Sequence, residues 1–104
     1  MTLIINSLDE IAQQYDALFV DLWGCVHNGI TAYKPAVEAL IKYRKRGGKV
    51  VLVTNSPKPR VGVEKQLHHL NVPPICYDTV ATSGDSARAA MFTGMVGKKV
   101  FFIG

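Results

Sequence analysis

The stretch Ala17-Leu18-Phe19-Val20-Asp21-Leu22-Trp23-Gly24 decides how this chain is read. Its apolar run occupies both faces of an extended segment, the pattern of a strand inside a parallel sheet. Asp21 closes the run just where strand gives way to a glycine-containing loop. Packing has little use for a carboxylate at that point, but chemistry does, because ligands of open α/β sheets bind beyond the carboxyl ends of the strands.

The arrangement recurs downstream. Val50-Val51-Leu52-Val53 reads as a second buried strand, and it runs out into Thr54-Asn55-Ser56-Pro57. Between the two, Pro35 suits the first turn of a long helix whose Ala36, Val37, Leu40 and Ile41 share a face, and Gly47-Gly48 ends it. A second helix is expected over residues 61–70, stopped by Val72-Pro73-Pro74 because proline cannot continue a helix. Residues 79–81 are a short extended piece. Thr82 or Ser83 caps a third helix over residues 85–92. Val100-Phe101-Phe102-Ile103 reads as a further buried strand. Upstream, Ser7 and Glu10 make a capping box for a short helix over residues 8–14. Asn28-Gly29 signals a hairpin, so residues 26–30 are expected to rise as a small flap beyond Asp21. Strand and helix in alternation imply right-handed crossovers, an α/β fold and a parallel sheet.

Composition fits one soluble domain or part of one. The 104 residues are 48% hydrophobic and 19% charged, which excludes a disordered chain. The net charge of +4 is concentrated partly in Lys42, Arg44, Lys45, Arg46 and Lys49. Cations suit the end of a helix dipole, so this run is read as a solvated helix end rather than a nucleic-acid surface. Cys25 and Cys76 form no ligand cluster and read as unpaired thiols of a cytoplasmic protein. No signal peptide and no membrane-length apolar stretch is present.

If the two strands are neighbours, Asp21 faces the hydroxyl, amide and backbone N–H groups of Thr54, Asn55 and Ser56. A carboxylate can attack phosphorus to give an aspartyl-phosphate, and donors opposite it can hold the phosphoryl oxygens. Carboxylate and phosphate repel, so a divalent cation is required, and oxygen ligands favour Mg²⁺. Lys58 and Arg60 read as surface charge at a helix start, Cys25 as a small core or turn residue, and His27 as an exposed flap residue.

Phe19-Val20-Asp21-Leu22-Trp23-Gly24-Cys25-Val26 and Val51-Leu52-Val53-Thr54-Asn55-Ser56 resemble the first two motifs of the haloacid dehalogenase-like hydrolase superfamily. Asp-Leu-Trp-Gly-x-Val-His-Asn-Gly, Thr-Asn-Ser-Pro and the later Thr82-Ser83-Gly84 are similar to a subgroup of its class IIA branch, which includes sugar-phosphate and nucleotide phosphatases. The resemblance implies a three-layer Rossmann-like core with a parallel sheet, of which residues 1–104 form the N-terminal portion. It implies Mg²⁺-dependent hydrolysis of a small phosphorylated substrate, with Asp21 as nucleophile and metal ligand. Thr54, Asn55 and Ser56 would bind the phosphoryl group, and the backbone carbonyl of Trp23 would make a second metal contact.

Two departures from the family pattern matter. Trp23 stands where active members place the general acid/base, a group that typically contributes about 10²–10⁴-fold. The family's lysine and further carboxylates have no match here, nor does its cap domain, which usually sets specificity. These 104 residues alone are therefore expected to turn over little or nothing. The alternative to a phosphatase is an impaired scaffold that binds a phosphorylated ligand or a protein partner. A flavodoxin-like module is a third reading, weakened by the absence of a Gly-rich first turn. A chain ending on a hydrophobic strand leaves apolar sheet surface uncovered, which points to a longer protein or to a homo-oligomer formed through that face.

Overall fold

The computed structural model describes residues 1–103. It contains three parallel strands, β1 (Ala17–Asp21), β2 (Lys49–Thr54) and β3 (Thr79–Thr82), and three helices, α1 (Lys34–Lys45), α2 (Arg60–His69) and α3 (Ser83–Phe92). The sheet order is β1-β2-β3. Leu18 pairs with Val50 and Val20 with Leu52; Leu52 in turn pairs with Val80, and Thr54 with Thr82. Because side chains alternate along a strand, this register collects Leu18, Val20, Val50, Leu52 and Val80 on one face. Leu40 and Tyr43 of α1 and Val63 and Leu67 of α2 pack against it, with Val72 and Cys76, as one buried cluster.

The opposite face is open. Phe19 is 80% exposed and Val53 40%. The apolar run of β1 thus has one covered face, and among the described residues β1 pairs with β2 alone. Hydrophobicity made both faces of the strand look buried; only the placement of helices distinguishes them.

The basic end of α1 is not simply solvated. Arg44 Nη2 pairs with Asp78 Oδ1 at 2.9 Å, and its Nη1 donates to the Ile75 carbonyl at 2.7 Å. Asp78 Oδ2 accepts from Val50 N–H at 2.7 Å, while the Val50 carbonyl accepts from Asp78 N–H at 2.8 Å. One carboxylate thereby ties α1, the start of β2 and the entry to β3. Lys42 and Arg46 both reach Asp9, which anchors the N-terminal segment to the same helix. At the turn after α1, Gly47 adopts φ +90°. A Cβ on Gly48 would lie 2.2 Å from Tyr43 Cε1, so this position requires glycine for close approach. The Tyr43 hydroxyl donates to the Tyr15 carbonyl at 2.6 Å.

Three expected elements differ. Residues 8–14 form two short 3₁₀ turns, Leu8–Glu10 and Ala12–Gln14. Glu10 does accept from Ser7 N–H at 2.9 Å, but a capped turn this short has no length over which to propagate an α-helix. Residues 26–30 form no two-stranded hairpin; the pairing there is reduced to one isolated antiparallel bridge, His27 with Ala32. Residues 100–103 form no strand and are exposed, since an apolar run without a neighbouring strand has no partner for its backbone groups. The third helix begins earlier than expected, at Ser83, with Thr82 as its cap.

The bonds to Val50 N–H and Arg44 hold the Asp78 carboxyl below its ordinary value. The stability this contributes is complete above the unfolded carboxylate pKa of about 3.9 and is lost as pH falls through the lower folded value. Melting temperatures measured from pH 7 down to pH 3 should therefore fall more steeply in the wild type than in Asp78→Asn, which starts lower and lacks this term.

Candidate functional site

The loop after β1 is shaped by one acceptor. The Leu22 carbonyl receives the N–H groups of Cys25, Val26 and His27, at 3.2, 2.8 and 3.2 Å. This coils the chain directly behind Asp21, with Gly24 at φ +77°, and leaves only His27 to pair, in a single antiparallel bridge with Ala32. Asn28 Oδ1 closes its own turn by accepting from Ile30 N–H and Thr31 N–H at 2.9 and 2.8 Å. Such local side-chain bonds compete with strand pairing. The loop is then fixed to the body where Ala32 N–H donates to the Leu70 carbonyl and Tyr33 N–H to the Val26 carbonyl.

His27 is part of this construction, not an exposed flap residue as its sequence context suggested: it is 1% exposed. Its Nδ1 accepts from Gly29 N–H at 3.0 Å, and its ring meets Trp23 edge-on, with centroids 5.0 Å apart. Cys25 is exposed at the turn and Cys76 is buried.

Asp21, Trp23, Thr54 and Asn55 line one open cavity of about 810 Å³, together with Phe19 and Val53. The parallel pairing of β1 with β2 sets Asp21 beside Val53, so the two strand ends open into the same space. Asp21 Oδ1 accepts from Leu22 N–H at 2.8 Å; its Oδ2 accepts no hydrogen bond among the described residues. Thr54 is buried, and its Oγ1 accepts from Ser56 N–H at 3.2 Å. Ser56 does not line the cavity; its Oγ accepts from Lys58 N–H and its carbonyl from Gly84 N–H. His27 does not line the cavity either.

Gly84 belongs to a short sequence motif, but its physical role is visible only in three dimensions. A Cβ there would lie 2.2 Å from the Pro57 carbonyl oxygen. The start of α3 therefore presses against the loop that carries Asn55 and Ser56. Asp85 secures the contact by accepting from Arg60 N–H at 2.9 Å, while Thr82 Oγ1 caps α3 by accepting from Asp85 N–H at 3.0 Å.

Metal donors are few. Magnesium prefers near-octahedral oxygen ligands. Asp21 and Trp23 both line the cavity, and the Trp23 carbonyl accepts no backbone hydrogen bond among the described residues. No group of three His, Cys, Asp or Glu that could hold a metal occurs among them. The Asp21 carboxylate and the Trp23 carbonyl are both oxygen donors, the kind that Mg²⁺ takes.

Two predictions follow from the loop geometry. Gly84→Ala should cost about 1–3 kcal/mol in denaturant unfolding, the usual penalty of overpacking a tight contact. Burial pushes the His27 imidazole below its ordinary value. The resulting stability is complete above the unfolded pKa of about 6.5 and falls as pH drops through the folded value. Melting curves between pH 7.5 and 5 should therefore show a decline that His27→Gln removes.

The comparisons agree with this geometry. The family model for haloacid dehalogenase-like hydrolases matches residues 18–104, consistent with the class IIA branch. The fold is similar to the crystal structure of a haloacid dehalogenase-like family hydrolase from Brucella suis 1330, with a TM-score of 0.81 and 46% identity. The match covers 86% of this chain and 34% of that one, so the present chain spans about a third of that protein's length. No curated protein matches. No helix among the described residues is long and apolar enough to cross a membrane. With the sheet, the strand-end cavity and the sequence match in agreement, the chain belongs to the haloacid dehalogenase-like hydrolases.

Proposed function

We propose that this chain carries the nucleophilic half of a magnesium-dependent phosphomonoester hydrolase. The observation that carries the reading is the shared cavity, in which an Asp21 oxygen without a partner faces Thr54 and Asn55 from the neighbouring strand end. Asp21 Oδ2 attacks phosphorus, the bond to the leaving oxygen breaks, and water later hydrolyses the aspartyl-phosphate. Thr54 and Asn55 orient the phosphoryl oxygens; Ser56 contributes by bracing Thr54 through its N–H. Mg²⁺, held by Asp21 and the Trp23 carbonyl, would offset the repulsion between carboxylate and phosphoryl group.

The leaving oxygen needs a proton, and the cavity supplies no acid for it. The Trp23 indole is not a proton donor at neutral pH, and buried His27 uses Nδ1 as an acceptor away from the cavity. Leaving groups of low pKa should therefore depart fastest. The proposed substrate is a small phosphorylated metabolite, and the unpaired thiols fit a cytoplasmic location.

The test is phosphate release with Mg²⁺, run on residues 1–104 alone and on the same residues extended by the remaining two thirds of the Brucella hydrolase. The 104 residues alone should turn over little or nothing, and the extended protein should hydrolyse p-nitrophenyl phosphate well ahead of alkyl phosphates. Asp21→Asn in the extended protein should lower the rate by about 10³-fold or more; an undiminished rate would sink the proposal. Trp23 favours a second reading, a scaffold that binds phosphorylated ligands without catalysis. In that case the extended protein binds phosphate esters but releases no phosphate, and Trp23→Asp restores turnover.

A further inference from the structure

Phosphoryl chemistry has no use for the indole of Trp23, yet the loop is built around it. Trp23 is the chain's only tryptophan and is 57% exposed, although the residues behind it are tightly set. Gly29 stands at φ +86°, and a Cβ there would lie 2.3 Å from Cζ3 and 2.4 Å from Cη2 of the ring. Only glycine lets the indole lie against that backbone. His27 meets the ring edge-on at an interplanar angle of 69° and is itself held by the Gly29 N–H. Backbone and imidazole thus brace the indole from behind. Trp23 is itself one of the residues that line the cavity shared by Asp21, Thr54 and Asn55.

A rigid aromatic surface next to polar, phosphate-sized donors is an amphipathic arrangement. Phe19 and Val53 continue its apolar side, and about 810 Å³ is within the range of pockets that hold whole small ligands. A braced ring loses little conformational freedom when a ligand stacks on it. Flat rings stack on such a surface in offset geometry and gain stabilisation beyond the area they bury.

We propose that Trp23 is a specificity-determining platform. The ligand is a phosphomonoester whose alcohol portion carries a planar aromatic or heteroaromatic ring, which stacks on the indole while the phosphoryl group lies at Asp21, Thr54 and Asn55. Part of the substrate choice then resides in the core itself, in the residue that has displaced the acid. This inference rests on reading the cavity as a phosphoryl site.

Because the chain has a single tryptophan, its emission reports the contact directly. The 104-residue protein is titrated with adenosine 5′-monophosphate, with ribose 5-phosphate as the ring-free control and with adenosine as the phosphate-free control. Fluorescence and calorimetry are read together. Adenosine 5′-monophosphate should quench the emission and bind about tenfold or more tightly than ribose 5-phosphate, in keeping with base-on-aromatic stacking. Trp23→Leu should abolish that preference, and Trp23→Phe should keep part of it. Gly29→Ala, which retains the indole but forces it out of place, should lose the preference too; circular dichroism checks that each variant is folded. Equal binding of the two phosphates, no binding of the nucleotide at millimolar concentration, or a preference that survives Trp23→Leu would overturn the platform. Adenosine binding as tightly as its monophosphate would instead overturn the phosphoryl reading, and with it the phosphomonoester class of the ligand, leaving only the stacking contact on Trp23.

Discussion

The burial of β2 between its two neighbours is the constraint on which the other parts depend. Val50 and Leu52 are fully enclosed, paired on one side with Leu18 and Val20 and covered by α1 and α2. A strand so placed must satisfy all of its backbone groups in the ladders or by fixed partners. Asp78 answers that requirement at the start of β2, through its carboxylate and its own N–H. Where the ladder ends, Thr54 and Asp21 emerge together, because parallel strands in register deliver their carboxyl ends to the same side. The cavity follows from the register.

Around that cavity the protein is rigid in an unusual place. The Leu22 carbonyl gathers three N–H groups, and the resulting coil holds His27 inside the protein and Trp23 at its edge. The loop expected from Asn28-Gly29 to rise as a small flap is therefore a buttress. Its histidine serves as an internal acceptor, which argues against proton transfer to a substrate. On the opposite side, Gly84 and the cap of α3 fix the loop after β2. Both halves of the cavity rim are braced by contacts to glycine, one at Gly29 and one at Gly84.

The chemistry divides along the same line. Asp21, Thr54 and Asn55 are consistent with attack on phosphorus. In the proposed reaction Trp23 would contribute a carbonyl and a wall but no acid. That reaction would then depend on the leaving group more than one served by a second carboxylic acid.

The order β1-α1-β2-α2-β3-α3, the strand-end position of Asp21 and Thr54, and the family were legible in the sequence, because apolar period, proline and glycine punctuation and short motifs are local properties. The sequence did not show that Phe19 is exposed, that residues 100–103 lack strand structure, or that His27 is buried. Each depends on what lies across from the residue, and alternation in sequence carries no record of which face a helix covers. The same limit hid the reasons for Gly29 and Gly84. Their glycine is required by the indole and by the Pro57 carbonyl, neighbours that only the folded chain brings within contact.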